Sequence, residues 1–237
     1  MKKLYIILFI GCISFELIAQ NKPVGSEILS RNAITKIFTD SVLRQFNINF
    51  PIFRVYKCND NSGQFYIALT ESNDSIAPSG DTISKKIRAL NLSIDQAGLT
   101  KKWELNDFKT KLTYGDDQEY SIWFWTRYVA IDDLDADQLL DPILIYGTSG
   151  KNGYEDGRIK IIVFHNGSKI AIRHQNGALD FERNTQVDKE FYDLPLTIQN
   201  KVKEIMARIE DDNRAIFPAG WQKAMNNKSL KFDENHH

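Results

Sequence analysis

Arg158-Ile159-Lys160-Ile161-Ile162-Val163-Phe164, His165-Asn166-Gly167-Ser168 and Lys169-Ile170-Ala171-Ile172-Arg173 form the stretch that decides the fold class. Two runs rich in β-branched residues flank an Asn-Gly pair. Both turn residues tolerate positive φ, so the segment reads as a tight antiparallel hairpin. Working outward, Ile143–Tyr146 reads as a neighbouring strand. Ser121–Ile131 sets Ile122, Phe124 and Tyr128 against Trp123, Trp125 and Val129. Apolar residues on both faces predict a central strand there. Upstream, Ile52–Cys58 and Gln64–Thr70 read as strands joined by the turn at 59–63. Ile87–Ile94 follows, and a turn at 96–98 leads into a strand through Trp103 and Leu105.

The ends of the chain have a different period. Ile34, Ile37, Phe38, Val42 and Phe46 predict one helix over Ala33–Phe46. Ile198, Val202, Ile205, Met206 and Ile209 predict another over Thr197–Asp211, with Pro195 just ahead of it. A short helix is expected over Trp221–Met225, after Pro218. The expected class is α+β: mainly antiparallel β-sheet, with an N-terminal helix and C-terminal helices packed on it. A single domain is expected over 33–232, after a loose leader at 20–32 and before a polar tail at 233–237.

The chain has 237 residues, of which 42% are hydrophobic and 26% charged, so it can bury a core of its own. Thirty Lys+Arg against 31 Asp+Glu give a net charge of −1. That balance lacks the basic surplus of a dedicated nucleic-acid binder. The first residues read as an address. Lys2 and Lys3 precede an apolar run, Leu4–Phe15, which Glu16 ends. The run is shorter than the roughly 20 residues a spanning helix needs and matches a secretory signal peptide. Two cleavage sites compete. Cleavage after Ala19 would free Gln20, giving a signal peptide at 1–19. Alternatively, Phe9-Ile10-Gly11-Cys12 would serve as a lipobox and put a lipid on Cys12, the one expected link to a membrane. Either way Cys58 has no intrachain partner, and it reads as a buried, unreactive thiol.

Asp133-Leu134-Asp135-Ala136-Asp137-Gln138-Leu139-Leu140-Asp141 carries the chemistry. Counted from Asp133, carboxylates fall at positions 1, 3, 5 and 9. Calcium takes six to eight oxygen ligands, which a wound loop of alternating side chains can offer. The expected ligands are Asp133, Asp135, Asp137 and Asp141, with the Leu139 carbonyl. An EF-hand is excluded, because Leu144 stands where its closing Glu belongs. The loop resembles the strand–loop–strand calcium loops of FG-GAP and VCBS repeats, which close with Asp at position 9. Those loops usually carry Gly at position 6, where this chain has Gln138. The alternative reading is an acidic, solvated turn without metal.

Other motifs are weaker. The glycine-rich stretch Gly147–Gly153 lacks the Gly-Lys-Ser/Thr triplet of a phosphate-binding loop and reads as a turn. No HExxH, GxSxG or paired CxxC is present. His174 could act as a general base, oriented by Asp180 or Glu182, with Arg183 binding an anion; a loop network is the alternative. His165 reads as solvent-facing punctuation beside the hairpin turn.

DLDADQLLDPILIYGT (133–148), GYEDGRIKI (153–161), AIRHQNGALDFERNTQVD (171–188), FYDLP (191–195) and IFPAGWQ (216–222) together resemble a family of exported bacterial proteins associated with surface polysaccharide biosynthesis. The likeness covers roughly Tyr120 to Phe232. It implies a role in the envelope and no particular reaction; the first reading is a periplasmic or cell-surface protein, non-enzymatic, that supports lipopolysaccharide or capsule assembly. Its partner would be an envelope glycan or an envelope protein complex, and it assigns no catalytic residues. A glycan-acting enzyme with a cleft around His174, Asp180 and Arg183 is the alternative.

Overall fold

The computed structural model describes residues 23–96, 98–110, 119–150 and 153–234. Two antiparallel sheets lie face to face, each covered on its outer side by helices. The expected signal peptide at 1–19, with Cys12, and the final residues 235–237 lie outside the described residues.

Strand β1 (Gly25–Ile28) opens the chain, followed by helices α1 (Arg31–Ile37) and α2 (Asp40–Gln45). Next come β2 (Ile52–Asp60), β3 (Gly63–Glu71), the short pair β4 (Ser75–Ile76) and β5 (Thr82–Ile83), β6 (Lys86–Asp95) and β7 (Gly98–Phe108). The first sheet has the order β1-β2-β3-β6-β7. The second half contributes β8 (Ser121–Phe124), β9 (Ala130–Asp132), β10 (Asp141–Ser149), β11 (Arg158–His165), β12 (Ser168–Gln175) and β13 (Asn184–Val187). Helices α3 (Leu196–Asp211) and α4 (Trp221–Asn226) and strand β14 (Lys231–Asp233) complete it. Its sheet has the order β14-β13-β12-β11-β10-β8, with β9 paired to β10. The Asn166-Gly167 hairpin forms as expected, with φ of 46° and 77°.

The period-two pattern of each strand assigns three cores. Tyr56, Phe65, Ile67, Leu69 and Ala89 of the first sheet face Ile122, Leu144, Ile162, Phe164 and Ala171 of the second. Val55, Tyr66, Ala68, Leu90 and Leu92 point the other way, onto Ile34 and Phe38 of the N-terminal helical segment. On the far side, Ile143, Ile145, Ile161, Val163 and Ile172 meet Phe191, Ile198, Val202, Met206 and Trp221. Covered on both faces, β10 and β11 are apolar through their middles, at Ile143–Tyr146 and Ile161–Phe164, which explains these continuous hydrophobic runs.

Four expectations need correction. Ser121–Ile131 is not one central strand. It breaks after Phe124 at a turn closed by Tyr128 N–H to the Trp125 carbonyl (3.0 Å), and β8 lies at the sheet edge. Trp125 turns inward there and lies against Gly147, where any Cβ would come within 2.5 Å of the indole. The helix over Ala33–Phe46 is two helices, because Thr39 breaks the run by capping a new start: its Oγ1 accepts from Val42 N–H at 3.5 Å. The expected leader contains β1, which pairs with β2 from Gly25↔Asn59 to Ile28↔Tyr56. The C-terminal end adds β14, with Phe232 buried in the outer core. Cys58 is buried as expected, and burial, with the Asp60 charge, pushes its thiol up.

One close approach between β10 and β11 is open to test. A Cβ on Gly157 would stand 2.0 Å from the Thr148 carbonyl oxygen, which is backbone and cannot swing away. Gly157→Ala is therefore expected to cost about 1–3 kcal/mol through backbone displacement, read as a lower thermal midpoint. An unchanged midpoint would show that the strand ends separate freely.

Candidate functional site

The acidic loop links β9 to β10, so both ends are anchored in the second sheet. Within it, each carboxylate takes a local amide. Gln138 N–H donates to Asp133 Oδ2 (3.0 Å), Asp137 N–H to Asp135 Oδ1 (3.3 Å) and Leu139 N–H to Asp137 Oδ1 (2.8 Å). Leu134 N–H donates to Asp141 Oδ2 at 3.0 Å. The winding sets Ala136 and Gln138 at φ of 64° and 68°, the left-handed region that normally costs a side chain about 1–2 kcal/mol. Gln138 thus adopts the conformation that glycine supplies in the loops this one resembles.

The first sheet holds that conformation. Asn61, at the tip of the β2–β3 hairpin, donates its N–H to the Gln138 carbonyl (3.0 Å) and its Nδ2 to Gln138 Oε1 (3.1 Å). Beside it, Asp60 Oδ2 accepts Leu140 N–H at 3.1 Å, while Asp60 Oδ1 orders its own turn through Ser62 N–H and Oγ (2.8 and 2.6 Å). The acidic loop is therefore a seam between the two sheets. Sequence reading missed Asp60 and Asn61 because they lie far from the loop along the chain.

Two overlapping groups could hold a cation. One ligand atom from each of Asp133, Asp135 and Asp137 lies within 4.8 Å of the others, and the same holds for Asp135, Asp141 and His165. The all-oxygen group is the better match to calcium. Asp133 Oδ1 is buried with no hydrogen-bond partner, a costly state for a carboxylate oxygen that a cation would relieve. Asp141 is less open, since His165 Nδ1 lies 2.7 Å from its Oδ1. Burial pushes the Asp141 carboxyl above its ordinary range, against the opposing pull of His165 and the Leu134 amide. His165 is thus not solvent-facing punctuation; only 13% of its side chain is exposed, and it orients the closing aspartate.

The structure does not gather the other candidates into one site. His174 is 2% exposed beneath the Phe217 ring. Its Nε2 donates to Asn176 Oδ1 (2.7 Å) and its Nδ1 accepts from Thr185 Oγ1 (2.9 Å), a tautomer set by the network. Burial, with help from the Arg183 charge, lowers its pKa to about 4 against the hydrogen bond it gives to Asn176. Arg183 pairs instead with Asp180 (2.8 Å), whose side chain is 78% exposed, and with Glu234 (3.4 Å). Glu182 accepts the Leu179 N–H at 3.0 Å.

No helix among the described residues is long and apolar enough to cross a membrane. Comparison with family models, with curated proteins and with solved structures finds no match to this chain.

Proposed function

We propose that this chain is an exported envelope protein, periplasmic or at the cell surface, that supports surface polysaccharide assembly by binding, with calcium fastening its inter-sheet loop. The apolar run behind Lys2 and Lys3 and the resemblance over Tyr120–Phe232 support the envelope setting. The observation that carries the calcium reading is the partnerless, buried Asp133 Oδ1 beside Asp135 and Asp137. Calcium there would stiffen the point where Gln138 and Leu140 meet the β2–β3 hairpin. The role is structural: each of the loop's four aspartates already accepts an amide of the loop itself. Binding is favoured over catalysis because both ring nitrogens of His174 are used inside the core.

Thermal unfolding with calcium and with chelator tests this. Calcium at about 100 times its dissociation constant should add roughly 2.7 kcal/mol, several degrees for a domain of this size. Asp135→Asn, which removes a carboxylate shared by both groups, should abolish the gain. No shift at millimolar calcium would leave the loop a plain acidic turn. Mass spectrometry of the exported protein tests the address: a Gln20 start or a lipidated Cys12 supports export, and an intact Met1 in the cytoplasm overturns it.

A further inference from the structure

At one end of the inter-sheet core the two sheets part. The inner-face side chains of β6 run Ala89, Asn91, Ser93, and after Asn91 the gap opens to solvent as a cleft of about 580 Å³. That volume lies within the range of small-molecule sites. Trp103 lies flat on Phe164, with ring centroids 3.8 Å apart and planes at 7°, so an aromatic pair spans the gap and lines the cleft. Leu140 of the acidic loop and Asn166 of the β11–β12 hairpin line the facing wall.

Asn91 marks this cleft as more than a gap. It is 7% exposed, and its Oδ1 is buried with no hydrogen-bond partner. A buried amide oxygen without a donor is costly, and such groups in native proteins call for an explanation. Of its neighbours on that face, Ala89 and Ile67 carry no donor side chain, the Ser93 hydroxyl donates instead to the Thr100 carbonyl (3.3 Å), and the indole N–H of Trp103, its cross-strand partner, does not reach it.

We infer that this cleft is a saccharide-binding site, in which a hydroxyl of a neutral sugar donates to Asn91 Oδ1 while an apolar ring face rests against the Trp103–Phe164 pair. The assignment rests on the glycan reading above and locates it. An orphan acceptor calls for a ligand that donates. The cleft's charges are few and mixed, Asp60 and Asp95 against Lys102, and both Asp60 oxygens already accept backbone amides. A ligand that is neutral, rich in hydroxyls and apolar on one face meets these terms, because aromatic surfaces and a few placed polar groups are how such sites orient ligands.

Saturation-transfer NMR on the purified protein with glucose, galactose, mannose and N-acetylglucosamine tests the inference, with affinities taken by titration. At least one sugar should bind. Asn91→Leu should weaken it at least tenfold while the thermal midpoint stays level or rises, since a buried unpaired acceptor has been removed. Ser93→Trp, which fills the cleft mouth and leaves the Asn91 amide in place, should abolish binding in a folded protein. Binding that survives both variants within twofold would overturn the site while leaving the glycan reading standing. No transfer from any of the four sugars, nor from oligosaccharides released from purified lipopolysaccharide, would remove both. A lower midpoint in Asn91→Leu would show that Asn91 serves the fold and would overturn its role.

Discussion

Arg158→Met is expected to destabilise the protein by about 3–5 kcal/mol, the usual cost of removing one partner from a buried ion pair. Arg158, at the start of β11, reaches across the gap between the sheets. Its Nε lies 2.6 Å from Glu119 Oε1 and its Nη1 3.2 Å from Asp107 Oδ2 on β7, and its Nη2 donates to the Phe108 carbonyl. Arg158 and Glu119 side chains are 14% and 2% exposed, so solvent screens them little. Burial acts to lower the Arg158 pKa, but Glu119 and Asp107 outweigh it and hold the guanidinium charged. Lys160 Nζ (2.6 Å) and the Tyr146 hydroxyl (2.9 Å) complete the cluster on Asp107. Met keeps the stem and removes the charge, leaving Glu119, among the described residues, with the Thr148 hydroxyl and the Thr110 amide as donors. Urea and thermal unfolding would read the loss, and Glu119→Gln added to Arg158→Met should recover part of it. A loss below about 1 kcal/mol would mean that the Arg158 cluster contributes little to joining the sheets.

The second large effect depends on pH. His174 is held neutral in the fold, with its pKa lowered to about 4 from 6.5. Between these values the unfolded chain binds a proton that the folded chain refuses. Stability therefore rises with pH across that window and is lost as pH falls from about 6.5 towards 4. The depression corresponds to about 3 kcal/mol. His174→Phe is expected to be less stable at pH 7, because Thr185 loses its partner, yet flatter across the window. Unfolding free energies at pH 7 and pH 4.5 for both proteins would show it. An equal slope in both would assign the acid sensitivity to other groups.

The behaviour of His174 shows why the sequence misleads at such a position. Its neighbours in the chain, Arg173, Asp180, Glu182 and Arg183, are polar and suggest an open, ionisable loop. Strand alternation sends the imidazole to the opposite face, under Phe217 and into a network with Asn176 and the Ile216 amide. The Ser121–Ile131 run misled in a similar way. Its two apolar faces match a central strand, but Trp125 needs the space over Gly147, and the chain turns there to reach it. β8 is covered on both faces, with Ile122 and Phe124 in the inter-sheet core and Trp123 against the outer one, but it lies at the sheet edge; the central strands are β10 and β11.

What the residues alone determined is local and periodic. The Asn166-Gly167 hairpin, the alternation along β2, β3, β6 and β11, the helical stripe of α3 and the spacing of carboxylates in the acidic loop follow from φ preferences and side-chain period, which need no distant partner. Tertiary structure decided what depends on segments far apart meeting. The Asn61 tip holds Gln138 left-handed, His165 orients Asp141, Arg158 ties Asp107 to Glu119, and Asn91 is left without a donor at the mouth of the inter-sheet gap. These pairings are fixed by which strands pair, how the two sheets stack and where they part, and no local period in the chain encodes those distances.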